Sequence, residues 1–335
     1  MIEERTVFLC PGQGAQAVGM GKAWFDAHPA AAQTFAAADE SVTLDIDGSE
    51  ARLSDICFNG PETSLNRTDV CQPALYTCAI AAYQGLLEEH GPIDIAAAAG
   101  LSLGEWTALH LAGSIGFIDG LRLVALRGKL MQLAAEQTDG SMVALIGASE
   151  DQAQEVCDDA ARGEVLVPAN FNAAGQVVIS GAKGACTRSL ETAKKMSLKA
   201  TELSVAGAFH SPLMEPAAEG LANALAGIEL ESPQVSVWSN VTGRPHDPEN
   251  LDLIKSRLVQ QLTSPVRWQQ SCESMVSELQ SEPESAVEWH ELAPGSVLRG
   301  LFRRIDRSIK VQSHDTPSKP KSSPVQAETS SEPAT

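Results

Sequence analysis

Short apolar runs alternate along the chain with longer stretches whose apolar positions recur at helical spacing, the rhythm of an α/β protein. Residues Thr6–Cys10 (TVFLC) predict a buried strand, ending in the turn Pro11-Gly12-Gln13-Gly14. Alanine-rich helices follow over 23–38 and 73–89, then a second buried strand over 93–99 whose alanines are poor β formers. Leu103–Ala112 predicts a helix that Gly113 can close. From about Ser141 the rhythm changes to strand 142–147, helix 150–162, strands 165–172 and 176–181, helix 183–196 and strand 199–205. That βαββαβ order is the split ferredoxin-like unit. The pattern predicts a large α/β domain with a parallel sheet, residues 1–138 and 207–311, interrupted by a ferredoxin-like subdomain at 139–206. Beyond Gln312 the chain turns to Ser, Pro, Thr, Glu and Lys, which predicts a disordered C-terminal tail over 312–335.

Length and charge narrow the function classes. The chain has 335 residues, room for about two domains. Its net charge of −19 argues against nucleic acid and anionic membrane surfaces, which need clustered positive charge. No apolar run approaches the roughly 20 residues that span a bilayer, and no apolar leader precedes the first strand. The seven cysteines are scattered without CxxC or finger spacing, as expected of reduced thiols in a cytoplasmic protein. No HExxH occurs, so no metal is expected.

Candidate chemistry centres on Gly100-Leu101-Ser102-Leu103-Gly104, a G-x-S-x-G between a predicted strand and a predicted helix. A serine nucleophile needs such a tight turn, with glycines that let neighbouring backbone approach, and this context makes the large domain hydrolase-like. The Leu103 amide then lies at a helix start, where free N–H groups can stabilise an oxyanion. Seven histidines compete as its base. His110, eight residues along the same helix, is ~12 Å away at 1.5 Å per residue. His210 follows the last strand of the inserted unit, where the chain re-enters the large domain; a loop histidine with a purely structural hydrogen bond is an equal alternative at this point. Arg127 sits among Leu123, Val124 and Met131 on a helical wheel, with Arg122 and Lys129 opposite. A guanidinium on an apolar face needs a partner, either a carboxylate of the protein or one of a substrate. Gly12-x-Gly14-x-x-Ala17 fits a loose dinucleotide fingerprint, but the expected acidic residue would be Asp39 or Glu40 after a helical stretch. The phosphate-loop pattern fails because Met20 stands where lysine is required.

Several segments together resemble the malonyl-CoA:acyl-carrier-protein transacylase family. They are Phe8–Gly14, the elbow followed by Glu105, Leu126–Gln132, Asn170–Asn172 with Gly175–Ile179, Phe209-His210, Ser239–Val241 and Gln261 before Pro265-Val266. They run in the family's order and span the chain to about Lys310. The resemblance implies Ser102 as nucleophile and His210 as general base and acid, oriented by the backbone carbonyl of Gln261 in place of a carboxylate. It implies an oxyanion hole from the amides of Gln13 and Leu103, a malonyl-carboxylate clamp at Arg127, and a cleft-lining Asn172. Phe209 resembles the malonyl-selective members. One position departs: the family's usual histidine before the nucleophile is Leu101 here, which bears on the tuning of Ser102.

The implied function is ping-pong transfer of malonyl from malonyl-CoA to the phosphopantetheine thiol of acyl carrier protein, supplying fatty-acid synthesis. A cytoplasmic monomer without cofactor is expected. The alternatives are a serine thioesterase or hydrolase using the same elbow, and a non-catalytic carrier-binding relative. Since the carrier is expected to be acidic, a local basic patch is needed, and Arg299, Arg303, Arg304, Arg307 and Lys310 supply one candidate.

Overall fold

The computed structural model describes residues 5–280 and 287–318. Its main sheet has six strands in the order β10-β9-β4-β1-β11-β12: Arg244–Pro245, Ser236–Ser239, Ile95–Gly100, Arg5–Cys10, Val287–Leu292 and Val311–His314. All neighbours pair in parallel except the short β10, which is antiparallel to β9. A separate hairpin joins β2 (Leu44–Ile46) to β3 (Ser49–Ala51). A four-stranded antiparallel sheet is formed by β5 (Gly140–Ile146), β6 (Leu166–Ala173), β7 (Gln176–Ala182) and β8 (Lys199–Glu202), in the order β6-β7-β5-β8. With helices Glu150–Ala161 and Lys183–Lys195 between its strands, this is the βαββαβ unit that the sequence predicts.

The predicted elements of this unit agree to within two residues, except that the last strand ends at Glu202, three residues early. Two helix assignments change. The stretch over 23–38 is two helices, Lys22–Ala27 and Pro29–Ser41, because His28 is extended (φ −130°) and Pro29 opens the second. The helix expected to start at Pro73 starts at Thr68, and Pro73 lies in its second turn. β12 carries the sheet to His314, past Gln312, where the loss of large apolar residues had marked the start of the tail. It pairs with β11, and Trp24 Nε1 donates to the His314 carbonyl at 3.0 Å. Residues 319–335 of that expected tail lie outside the described residues.

The alanine-rich β4 is a central strand despite its composition. Ala97, Ala98 and Ala99 are fully buried, and side chains this small let helices pack closely on both faces. One layer is dominated by helices Thr68–His90 and Phe117–Gln137, and the other buries Trp238, Trp268 and Trp289. At the carboxyl end of β4 the chain turns sharply into helix Gly104–Leu111, and the loop after β1 lies against this turn. The absence of side chains makes the contact possible. A Cβ on Gly104 would overlap the Cys10 carbonyl, and one on Gly12 would overlap the Leu101 carbonyl. The insert is tied to the same region by backbone bonds Phe171 N–H to Val266 O (2.9 Å) and Val266 N–H to Ala169 O (2.8 Å).

Gly104→Ala should therefore destabilise the protein by about 2–3 kcal/mol, because backbone must shift to admit a methyl group. Gly300→Ala, on a helix where a Cβ meets nothing within 4 Å, should be neutral or stabilising by up to about 1 kcal/mol. Urea denaturation measures both, and similar values at the two positions would contradict this packing.

Candidate active site

Ser102 occupies the turn between β4 and helix Gly104–Leu111 with φ 52°, a left-handed conformation rare outside glycine. Its amide donates to Asn240 Oδ1 at 2.6 Å, while Asn240 Nδ2 donates to the Gly100 carbonyl at 2.7 Å. One side chain from the loop after β9 thus bridges the elbow and holds the strained residue. His210 also has a positive φ (56°), and only 5% of it is exposed.

The two residues meet at 2.9 Å between Ser102 Oγ and His210 Nε2. His210 Nδ1 lies 2.7 Å from the Gln261 carbonyl oxygen, an acceptor, so Nδ1 carries the proton and Nε2 offers its lone pair to the serine hydroxyl. No carboxylate touches the ring among the described residues. His110 is excluded as a competitor, since its Nδ1 lies 2.9 Å from the Ile115 carbonyl in the loop that follows its own helix.

Arg127 completes the cluster. It is 1% exposed on helix Phe117–Gln137, with Leu123, Val124 and Met131 buried beside it and Arg122 and Lys129 exposed, as the wheel predicts. Nη1 donates to Gln72 Oε1 at 2.6 Å, and Nη2 donates to Gln261 Oε1 at 2.9 Å and Ser102 Oγ at 3.0 Å. Every one of these partners is neutral, and Nε is buried without a hydrogen-bond partner. Of the two alternatives for its partner, a carboxylate of the protein is not found among the described residues. Burial pushes the guanidinium down to about 10, partly offset by the charge of Glu105, so it remains a cation at neutral pH. Burial, and then the charge of Arg127, push His210 down to about 4 against the opposing hydrogen bond to Gln261. The imidazole is therefore neutral at pH 7, ready to accept a proton.

Ser102, Arg127 and His210 open onto a cavity of about 220 Å³ between the large sheet and the inserted unit. Gln13, Leu103 and Asn172 line it too, so all the residues proposed from sequence gather here except Gln261, which backs it. The amides of Gln13 and Leu103 make no hydrogen bond among the described residues, and Asn172 Oδ1 is buried without a partner. Phe209 and Leu101 also line the cavity, and the Ser102–His210–Gln261 contacts form without any polar side chain at position 101. All seven cysteines are free and buried, away from this lining.

Sequence reasoning missed Gln72, and it noted Glu105 and Asn240 only as parts of matching segments. Gln72 is a polar residue in the apolar run 70–82, the same signal that exposed Arg127. Glu105 is fully buried and accepts from His246 Nε2 (2.7 Å), Gln261 Nε2 (2.6 Å) and Asn240 N (3.0 Å). Nothing in the local sequence marks His246.

A serine on a strained elbow, a neutral histidine against its hydroxyl and a cleft with a spare buried cation define an enzyme of the acyl-transfer class. The chain belongs to the acyl transferase domain family, whose model matches residues 7–312. It is 39% identical over 312 residues to the malonyl CoA-acyl carrier protein transacylase of Escherichia coli O157:H7, covering 93% of this chain and 96% of that one. The protein of that name in Bacillus subtilis (strain 168) is 37% identical over 308 residues, covering 91% and 92%. The crystal structure of malonyl-CoA:acyl carrier protein transacylase from Xanthomonas oryzae pv. oryzae superposes with a TM-score of 0.84 at 39% identity, over 95% of this chain and 96% of that one. A malonyl-transacylase solved in complex with a type II PKS acyl-carrier protein also gives 0.84, at 36% identity over 93% and 96%.

The His210 charge state can be checked directly. Its value in the fold lies below the ordinary 6.5, so the unfolded chain takes the proton first as pH falls. Its contribution to stability is full above 6.5 and is lost between 6.5 and about 4. An NMR titration of the ring should show it neutral at pH 6, and Arg127→Ala should move the midpoint up towards 6.5. An unchanged midpoint in the variant would remove Arg127 as a source of the depression.

Proposed function

We propose that this enzyme transfers malonyl from malonyl-CoA to the phosphopantetheine thiol of acyl carrier protein, for fatty-acid synthesis, through a malonyl-serine at Ser102. The observation that carries the reading is Arg127, a buried cation whose protein partners are all neutral, beside the nucleophile. A thioester whose acyl group ends in a carboxylate supplies the missing anion through paired charge-assisted hydrogen bonds. Binding there moves Arg127 off the serine hydroxyl and offsets the charge that holds His210 down, so the right acyl group makes the base stronger.

In the first half-reaction His210 Nε2 takes the Ser102 proton as Oγ attacks the thioester carbonyl. The amides of Gln13 and Leu103 stabilise the oxyanion, and Asn172 lines the acyl cleft. The carbon–sulfur bond then breaks, and CoA leaves as a thiol protonated by His210. In the second half the carrier thiol gives its proton to His210 and attacks the malonyl-serine. Another tetrahedral intermediate collapses, the ester bond breaks, and the proton returns to Ser102. No step calls on a metal or redox cofactor. One cleft serves both thiols in turn, so a monomer suffices.

The carrier-facing side is proposed to be the helix Val297–Ile305. Val297 and Leu301 line the cleft, while Arg303, Arg304 and the following Arg307 are exposed and make no ion pair among the described residues. On a chain of net charge −19 this local patch fits an acidic partner. No helix among the described residues is long and apolar enough to cross a membrane, in keeping with action in the cytoplasm.

Intact-protein mass spectrometry after addition of malonyl-CoA should reveal one malonyl adduct on Ser102, discharged by holo carrier protein. Rapid release of free malonate without carrier protein would favour a hydrolase, and no adduct would favour a non-catalytic relative. Arg127→Ala should lose about 2–5 kcal/mol of transition-state stabilisation for malonyl, the range for breaking a buried charge pair, while acetyl transfer survives. Equal loss for both acyl groups would mark a structural arginine.

A further inference from the structure

Behind the cleft, three polar groups converge on one side-chain amide. Gln261 Nε2 donates to Glu105 Oε2 at 2.6 Å and to the Ser102 carbonyl at 3.0 Å, while Gln261 Oε1 accepts from Arg127 Nη2 at 2.9 Å. Glu105 and Gln261 are both fully buried, so water cannot substitute for any of these partners. Chemistry permits one orientation of the amide. Turned over, its NH2 would face the donors of Arg127, and its carbonyl would face a carboxylate and a second carbonyl.

Glu105 is immobilised in turn. His246 Nε2 holds Oε1 at 2.7 Å, and the Asn240 amide shares Oε2 at 3.0 Å. The carboxylate therefore stays behind Gln261 and makes no ion pair with Arg127, although its charge still acts on the guanidinium. The arrangement is unusual in energetic terms. A buried arginine and a buried glutamate in the same network would ordinarily pair directly, which would neutralise the arginine permanently.

We propose that Glu105 is a positioning residue for acyl selectivity, which pins the Gln261 amide so that a neutral carbonyl stands between its own carboxylate and Arg127. The guanidinium is thereby oriented by the protein while its charge is left for the carboxylate of the acyl group. Asn240 extends the same control to the nucleophile, because Glu105 accepts from its amide while its side chain holds the Ser102 elbow. One buried carboxylate thus registers the serine and the arginine against each other without touching either.

This rests on the malonyl reading above, and the experiment separates the two. Acyl-enzyme formation on the full chain is followed with malonyl-CoA and acetyl-CoA in wild type, Glu105→Gln, Glu105→Asp and Gln261→Met. The methionine variant keeps the backbone carbonyl that orients His210 and removes only the amide. The ratio of kcat/KM for malonyl over acetyl should fall roughly tenfold or more in Glu105→Gln and in Gln261→Met, largely through the KM for malonyl-CoA. Acetyl transfer is expected to fall in the variants as well, but by less than malonyl transfer, and Glu105→Asp should recover part of the ratio. If Glu105→Gln does not fold, Gln261→Met decides alone. Equal slowing of both acyl groups, or an unchanged ratio, overturns the proposal. A wild type with no preference for malonyl removes the reading and this proposal together, whereas a preference that the variants keep removes this proposal alone.

Discussion

The site is organised around a positive charge that the protein buries and does not neutralise. Leaving a charge unpaired in the interior costs several kcal/mol, and direct pairing with a carboxylate would be the simple remedy. Here Arg127 is instead held by Gln72, Gln261 and Ser102, acceptors that orient it without cancelling it. Its neighbours answer to that choice. His210 is kept neutral by burial and by the same cation, and Gln261 serves His210 with its backbone oxygen and Arg127 with its side-chain oxygen. A single residue thus links the cation proposed to read the acyl chain to the histidine proposed to move the proton.

The fold supplies the charge with an enclosure in which apolar side chains form much of the wall. The elbow at the end of β4 and the loop after β1 touch only because Gly12 and Gly104 carry no side chain. This brings Gln13 and Leu103 into the lining of the cavity that contains Ser102. The inserted unit closes the other side with Met142, Val178 and Leu203, lowering the local dielectric and strengthening electrostatic contacts inside. Ser102 and His210 are both at positive φ, and the Asn240 bridge and the Gln261 carbonyl hold them there.

Legibility in the sequence followed the range of the interaction. The Ser102 elbow is local, and its strand–turn–helix setting could be read from residues 93–112. Arg127 was legible because burial on a helix has a period, and the βαββαβ insert because its strands and helices alternate cleanly. The break at His28-Pro29 was written in the proline but masked by the surrounding alanines. Choosing His210 over the other histidines was another matter: local pattern left it level with a structural loop histidine, and only the family resemblance favoured it. The Gln261 side chain, Gln72 and the Glu105–His246 contact bring together residues 55–159 positions apart. Their local sequences hold no trace of the contact, since a glutamine reads as polar until its burial is known. Leu101 shows the converse, a visible departure whose polar contribution the Ser102–His210–Gln261 geometry does not require.

The central claim is that the charge on the acyl carboxylate, rather than its size, is what Arg127 reads. The direct measurement compares acyl-enzyme formation from malonyl-CoA with that from its neutral isostere, in which the terminal carboxylate is an amide. If the buried cation is satisfied only by an anion, kcat/KM for the amide should be lower by roughly 30-fold or more, the loss expected when a buried charge-assisted pair becomes a neutral contact. Comparable rates for the two thioesters would contradict the account, because they would mean that shape and hydrogen bonding suffice and that the charge of Arg127 serves the fold alone.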